Sequence, residues 1–189
     1  MEIEIEKTVS RISETSAQPA TDQRLAPSTA VGGFEICQAE SVSQIAFARE
    51  LFLEYAQSLG FSLCFQGFNR ELAGLPGDYA PPKGRLLLLM VANDVAGCVA
   101  LHKIDGSICE MKRLYVRPAA RGTGTGRALA EAVVDGARAA GYGRMRLDTI
   151  DGKMDAAIAL YRGLGFREIP AYTDNPIDGA RYLELALGG

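Results

Sequence analysis

The 189-residue chain is predicted to fold as one α/β domain of the α+β kind, and three observations predict it. Apolar runs of strand length alternate with stretches of helical periodicity. A glycine-rich turn, Arg121 to Leu129, stands where one such strand gives way to a helix. Hydrophobic residues make up 48% of the chain and charged residues 23%, the balance of a chain with a core to bury.

Residues 1–33 are rich in Ser, Thr, Ala, Pro and Gln, and their apolar positions are limited to Ile3, Ile5, Val9 and Ile12. They are expected to be a mobile extension, leaving 34–189 as the domain. From Phe34 the segment FEICQA alternates like a short strand. Ser41 or Ser43 can then cap a helix that carries Ile45, Phe47, Ala48, Leu51, Phe52 and Tyr55 and ends near Gly60. A short helix around Phe68 to Ala73 precedes a loop punctuated by Pro76, Gly77, Pro81 and Pro82, a natural lip for a substrate.

Arg85 to Ala92 and Val95 to Lys103 read as a strand hairpin turning at Asn93-Asp94, and Cys109 to Arg117 is a third strand stopped by Pro118. Gly124 to Ala140 is helical, with Ala128, Leu129, Ala132, Val133, Gly136 and Ala137 on one face and Gly141 as terminator. Arg144 to Ile150 is a strand, Lys153 to Leu164 a helix closed by Gly165, and Arg181 to Leu187 an alternating strand.

Several classes of function are disfavoured. Twenty Lys and Arg against 23 Asp and Glu leave a net charge of −3, which provides no overall field for nucleic acid. The longest apolar run, Leu86 to Ala92, falls far short of the ~20 residues a membrane span requires. The opening MEIEIEK lacks the basic and apolar blocks of a secretory signal, so a cytoplasmic location is expected. Cys37, Cys64, Cys98 and Cys109 form no C-x-x-C pair, so no metal site is expected and the four read as small buried hydrophobes. His102 is the sole histidine and no G-x-S-x-G turn exists, which disfavours a serine hydrolase. Nothing near it in the sequence orients His102, so it reads as a core or surface histidine.

The turn RGTGTGRAL holds Gly122, Gly124 and Gly126 ahead of a helix N-terminus, a geometry that directs main-chain N–H groups at an anion. A Walker loop would need Lys where Arg127 stands. A dinucleotide fingerprint would need a third glycine at Arg127 or Leu129. Asp148, about 20 residues downstream on a strand, keeps that alternative open.

Arg121-x-x-Gly124-x-Gly126, with its approach RLYVRPAARGTGTG, resembles the signature of the GCN5-related N-acetyltransferase (GNAT) superfamily, and ALYRGLGF, Ala159 to Phe166, is similar to the family's second block. The resemblance covers roughly Phe34 to Leu187. It implies a central, mostly antiparallel mixed sheet flanked by helices and splayed between its fourth and fifth strands to admit acetyl-CoA. The backbone of Leu114, Tyr115 and Val116 would then pair with the pantetheine arm. Arg121, Gly122, Thr123, Gly124, Thr125, Gly126 and Arg127 would hold the pyrophosphate, although Arg121 and Arg127 could instead serve the protein's own groups. Ala157 matches the family pattern, whereas Met154 stands where many relatives carry Asn.

By the same resemblance Glu110, eleven residues before Arg121, corresponds to a catalytic glutamate acting as base directly or through water. The alternative is a surface pair with Lys112 or Arg113. Tyr161 corresponds to the tyrosine that protonates the departing thiolate, and the alternative is a core aromatic at helical spacing. The acceptor, a primary amine of a small molecule or peptide, would sit among residues 51–82, where Glu54 and Tyr79 are candidate contacts. Tyr172, Asn175 and Pro176 offer a second lip. Relatives of this kind are frequently dimers, so a homodimer is an expectation. A non-catalytic acetyl-CoA-binding sensor is the alternative to an enzyme.

Overall fold

A computed structural model describes residues 33–188, so the expected extension lies outside the described residues except for Gly33. In chain order the elements are β1 (Phe34–Gln38), α1 (Val42–Ser58), α2 (Phe68–Ala73), β2 (Arg85–Val91), β3 (Asp94–Asp105), β4 (Ile108–Val116), α3 (Thr125–Ala139), β5 (Arg144–Ile150), α4 (Asp155–Gly163), β6 (Arg167–Ile169) and β7 (Ala180–Ala186). Short 3-10 turns lie at Cys64–Gln66, Gly77–Tyr79 and Pro118–Ala120.

The strands form one sheet in the order β1-β2-β3-β4-β5-β7-β6. Every pairing is antiparallel except β4 with β5, which run parallel. That parallel pairing covers only Ile108↔Arg144, Cys109↔Met145 and Glu110↔Arg146. Beyond Glu110 the two strands part, which is the expected splay between the fourth and fifth strands. One parallel pair in a mostly antiparallel sheet is incompatible with a doubly wound dinucleotide fold, and that alternative is set aside.

Both faces of the sheet are covered. Leu87, Leu89, Val99, Leu101 and Met111 join Leu129 and Val133 of α3 in one core, while Leu86, Leu88, Cys98 and Ala100 meet Leu51 and Phe52 of α1 in the other. Two-sided burial is why β2 reads as the unbroken run RLLLLMV rather than an alternation. Ser41 is the cap of α1: its Oγ accepts from Gln44 N at 3.2 Å and Gln44 Oε1 accepts from Ser41 N at 3.0 Å, a reciprocal capping box.

Four details differ from the sequence reading. The β2–β3 turn is centred on Ala92 (φ 50°) and Asn93 (φ 71°), one residue earlier than expected, because a two-residue turn matching strand twist needs both centres left-handed. The helix α4 begins at Asp155, two residues late, with Met154 (φ −124°, ψ 33°) outside helical backbone before it. The strand β6 is an addition to the sequence reading, since three residues carry no readable period. Of the cysteines, Cys98 and Cys109 are buried, but Cys37 is half-buried and Cys64 exposed on a 3-10 turn. Among the described residues no helix is long and apolar enough to cross a membrane.

Candidate active site

The site begins with an irregularity in β4. Cys98 pairs with Tyr115 and Ala100 with Lys112, so Val99 alone opposes Arg113 and Leu114. The extra residue forms a bulge in which Arg113 adopts φ 59°, a left-handed conformation costing a non-glycine residue roughly 1–2 kcal/mol. The bulge turns the Arg113 side chain beneath α2, where it is held by Glu71 and, at 2.9 Å from Nη1, by Gln66 Oε1. β4 then continues along the open gap, free of β5.

That gap is a narrow cleft of about 30 Å³ walled by Met111 and Leu114 of β4, Leu147 and Thr149 of β5, and Tyr55 of α1. Tyr161, from α4, lines it too. Its ring is buried against Phe166 with centroids 5.7 Å apart, and no hydrogen bond to its hydroxyl is formed among the described residues. Burial, aided by the negative potential of Tyr55 and Asp148, raises its pKa, so the phenol keeps its proton. Across the cleft Asp148 Oδ2 accepts from Gln66 Nε2 at 3.2 Å and from Asn175 Nδ2 at 2.8 Å, tying the two lips together.

At the far end of β4 lies the glycine turn. Gly122 (φ 78°) and Gly124 (φ 84°) are left-handed with open space where a Cβ would be. Thr123 and Thr125 turn their hydroxyls inward, each donating to the Ala120 carbonyl at 2.8 Å, and thereby brace the loop. None of the main-chain N–H groups of residues 122–127 finds an acceptor among the described residues. A run of unsatisfied donors at the N-terminus of α3 suits a diphosphate.

Arg121 Nε donates to the Val116 carbonyl at 2.8 Å and its guanidinium lies 5.7 Å from the Tyr115 ring centre. Arg127 pairs with Glu131 at 3.0 Å on the exposed face of α3. Both arginines thus serve the protein's own groups in this structure. Leu114 and Ala157 are half-buried against the α3 core, and Tyr115 packs edge-on to Tyr55 with ring centres 6.2 Å apart.

A wider cleft of about 660 Å³ opens on the α2 side, bordered by Phe65, Arg70, Tyr79, His102, Glu110 and Lys112. A side chain at Gly84 would overlap the Tyr79 backbone, so that glycine permits the close approach which seats the ring. Tyr79 is buried, donates to Glu71 Oε1 at 2.6 Å, and has its pKa raised by burial and then by Glu71. Glu54 is not brought here. Its carboxylate clasps Arg117, with Oε1 2.6 Å from Nη2, at the end of β4 away from both clefts.

Glu110 is 5% exposed, and both its oxygens are engaged. Oε1 accepts from Tyr172 Oη at 2.7 Å; Oε2 meets His102 Nε2 at 2.7 Å and Lys112 Nζ at 3.4 Å. Burial would raise the pKa of this carboxyl, but the His102 and Tyr172 hydrogen bonds and the Lys112 charge outweigh it and hold it at about 2. The surface-pair alternative fits only in part: Lys112 is a partner, whereas Arg113 turns away to Glu71. His102, unassigned from sequence, is oriented after all. The partner lies eight residues on, across the β3–β4 hairpin, and the His102↔Glu110 register supplies it. Among the described residues no group of three or more His, Cys, Asp or Glu side chains is placed to hold a metal ion.

Residues 48–166 match the model of the acetyltransferase (GNAT) family. An uncharacterized N-acetyltransferase of Schizosaccharomyces pombe is 40% identical over 139 residues, covering 72% of this chain and 85% of its own length. An acetyltransferase structure from Streptococcus agalactiae is similar at a TM-score of 0.68 and 23% identity, over 82% of this chain and 99% of that chain. A structure from Salmonella typhimurium with its cofactor acetyl-CoA is similar at a TM-score of 0.58 and 20% identity, over 83% and 95%.

Proposed function

Because the chain belongs to the acetyltransferase (GNAT) family, we propose that it moves an acetyl group from acetyl-CoA to a primary amine of a small molecule or peptide. The observation that carries this reading is the run of unsatisfied N–H donors at residues 122–127, beside a strand edge that lies open from Met111 onward. The donors suit the diphosphate, and the backbone of Leu114, Tyr115 and Val116 suits the amides of the pantetheine arm. The thioester would then lie in the narrow cleft beside Tyr161.

The reaction needs a group to take a proton from the ammonium form of the acceptor and an acid for the departing thiolate. Tyr161, protonated and lining the cleft, supplies the acid. Glu110 supplies the negative charge on the base side, where the wider cleft, with Tyr79 in its wall, receives the amine. A small molecule suits a cleft of about 660 Å³.

A panel of primary amines with acetyl-CoA, followed by release of free thiol, tests the proposal. Turnover of at least one amine is expected. Tight acetyl-CoA binding without thiol release from any amine would favour a sensing role, a reading that rests on Met154 standing in place of the family's asparagine.

A further inference from the structure

Resting on the acetyl-transfer reading above, we propose that His102 is the group that takes the proton from the acceptor ammonium and that Glu110 positions it. The two stand opposite each other in the β3–β4 register, so both side chains emerge on one face of the sheet, joined Nε2 to Oε2 at 2.7 Å. They differ in access: the Glu110 side chain is 7% exposed and that of His102 25%.

Glu110 is a poor terminal base. Its two oxygens already accept from Tyr172 and His102, with Lys112 close by. A carboxylate only accepts, so in the neutral imidazole Nε2 of His102 carries the hydrogen and the lone pair is at Nδ1. No described residue hydrogen-bonds that nitrogen. Tyr79 fixes the ring plane, edge-on at 83° with centroids 5.8 Å apart. A carboxylate that orients an imidazole, which in turn faces substrate, is a recurrent arrangement for general bases.

The charged and titratable groups around this cleft are Glu110 and Lys112 on β4, Arg70 and Glu71 on α2, Cys64 on the 3-10 turn before α2, Asp78 and Tyr79 on the turn after it, and Tyr172 behind Glu110. Protons balance as follows. The ammonium gives one proton to Nδ1, and the freed amine attacks the thioester carbon. A C–N bond forms and the C–S bond breaks. The nitrogen's second proton reaches the thiolate by way of Tyr161, and the imidazolium returns the first to water.

The test is the pH dependence of kcat/KM for thiol release, measured with an amine the wild-type protein accepts, for wild type, His102→Gln and His102→Ala. His102→Gln keeps a donor for Glu110 but cannot take a proton. It is expected to lose about 100-fold or more in kcat/KM and to lose the acid limb of the profile, with acetyl-CoA affinity unchanged. Added imidazole should restore part of the rate of His102→Ala. A His102→Gln profile that keeps the wild-type limb, or a loss in His102→Ala that imidazole does not relieve, overturns the proposal while acetyl transfer stands. Absence of turnover by the wild-type protein overturns both.

Discussion

Arg113 and Glu71 form a two-point ion pair beneath the wider cleft, Nε to Oε1 at 2.9 Å and Nη2 to Oε2 at 2.6 Å, with Arg113 only 4% exposed. The pair clamps the β4 bulge to α2 and, through the Tyr79 hydrogen bond to the same carboxylate, reaches the ring that packs on His102. Removing one partner strands the other charge out of water. Glu71→Ala and Arg113→Met should each cost about 3–5 kcal/mol, read as a fall in the urea midpoint, while the double variant should cost less than their sum.

Much of the fold was legible because its elements are long and periodic. The α3 stripe of Leu129, Val133 and Ala137 and the apolar β2 predict themselves, and the RGTGTG turn announces a strand-to-helix junction. What escaped is non-local. The bulge at Arg113 leaves no composition signal, since arginine in a left-handed backbone is stabilised by Glu71, 42 residues away. His102 acquires its role only from strand register. Glu54 looked available because sequence alone does not reveal Arg117 folding onto it.

Stability should fall on acidification, with Glu110 as a principal cause. Its native pKa of about 2 lies below its ordinary 4.5, so its contribution is fully present above pH 4.5 and is lost as pH drops towards 2. A difference of this size corresponds to about 3 kcal/mol. Glu71, lowered because the Arg113 hydrogen bonds and charge outweigh its burial, acts in the same direction. Urea unfolding over this range should show a shallower decline for Glu110→Gln. A decline parallel to the wild type would mean that the carboxylate is not held below its ordinary value.

The glycine turn can be tested without a clash confounding the result. No atom lies within 4 Å of a Cβ built on Gly124, so Gly124→Ala should fold, losing roughly 1–2 kcal/mol to its φ of 84°. Gly124→Glu adds a negative charge where the diphosphate is proposed to sit and should abolish acetyl-CoA binding by calorimetry. Equal affinity in Gly124→Glu and wild type would remove the cradle assignment.

Tyr161→Phe separates packing from chemistry. The ring fills the core beside Phe166, and its hydroxyl has no hydrogen-bond partner among the described residues. Deleting the oxygen therefore leaves no orphaned group behind, and the unfolding midpoint should shift by less than the equivalent of about 0.5 kcal/mol. If the phenol protonates the leaving thiolate, kcat should nonetheless drop by about 100-fold while acetyl-CoA affinity holds, because the lost interaction arises only as the C–S bond breaks. Wild-type kcat in the Phe variant would reduce Tyr161 to a core aromatic. A joint fall in stability and affinity would show instead that the hydroxyl organises the cleft.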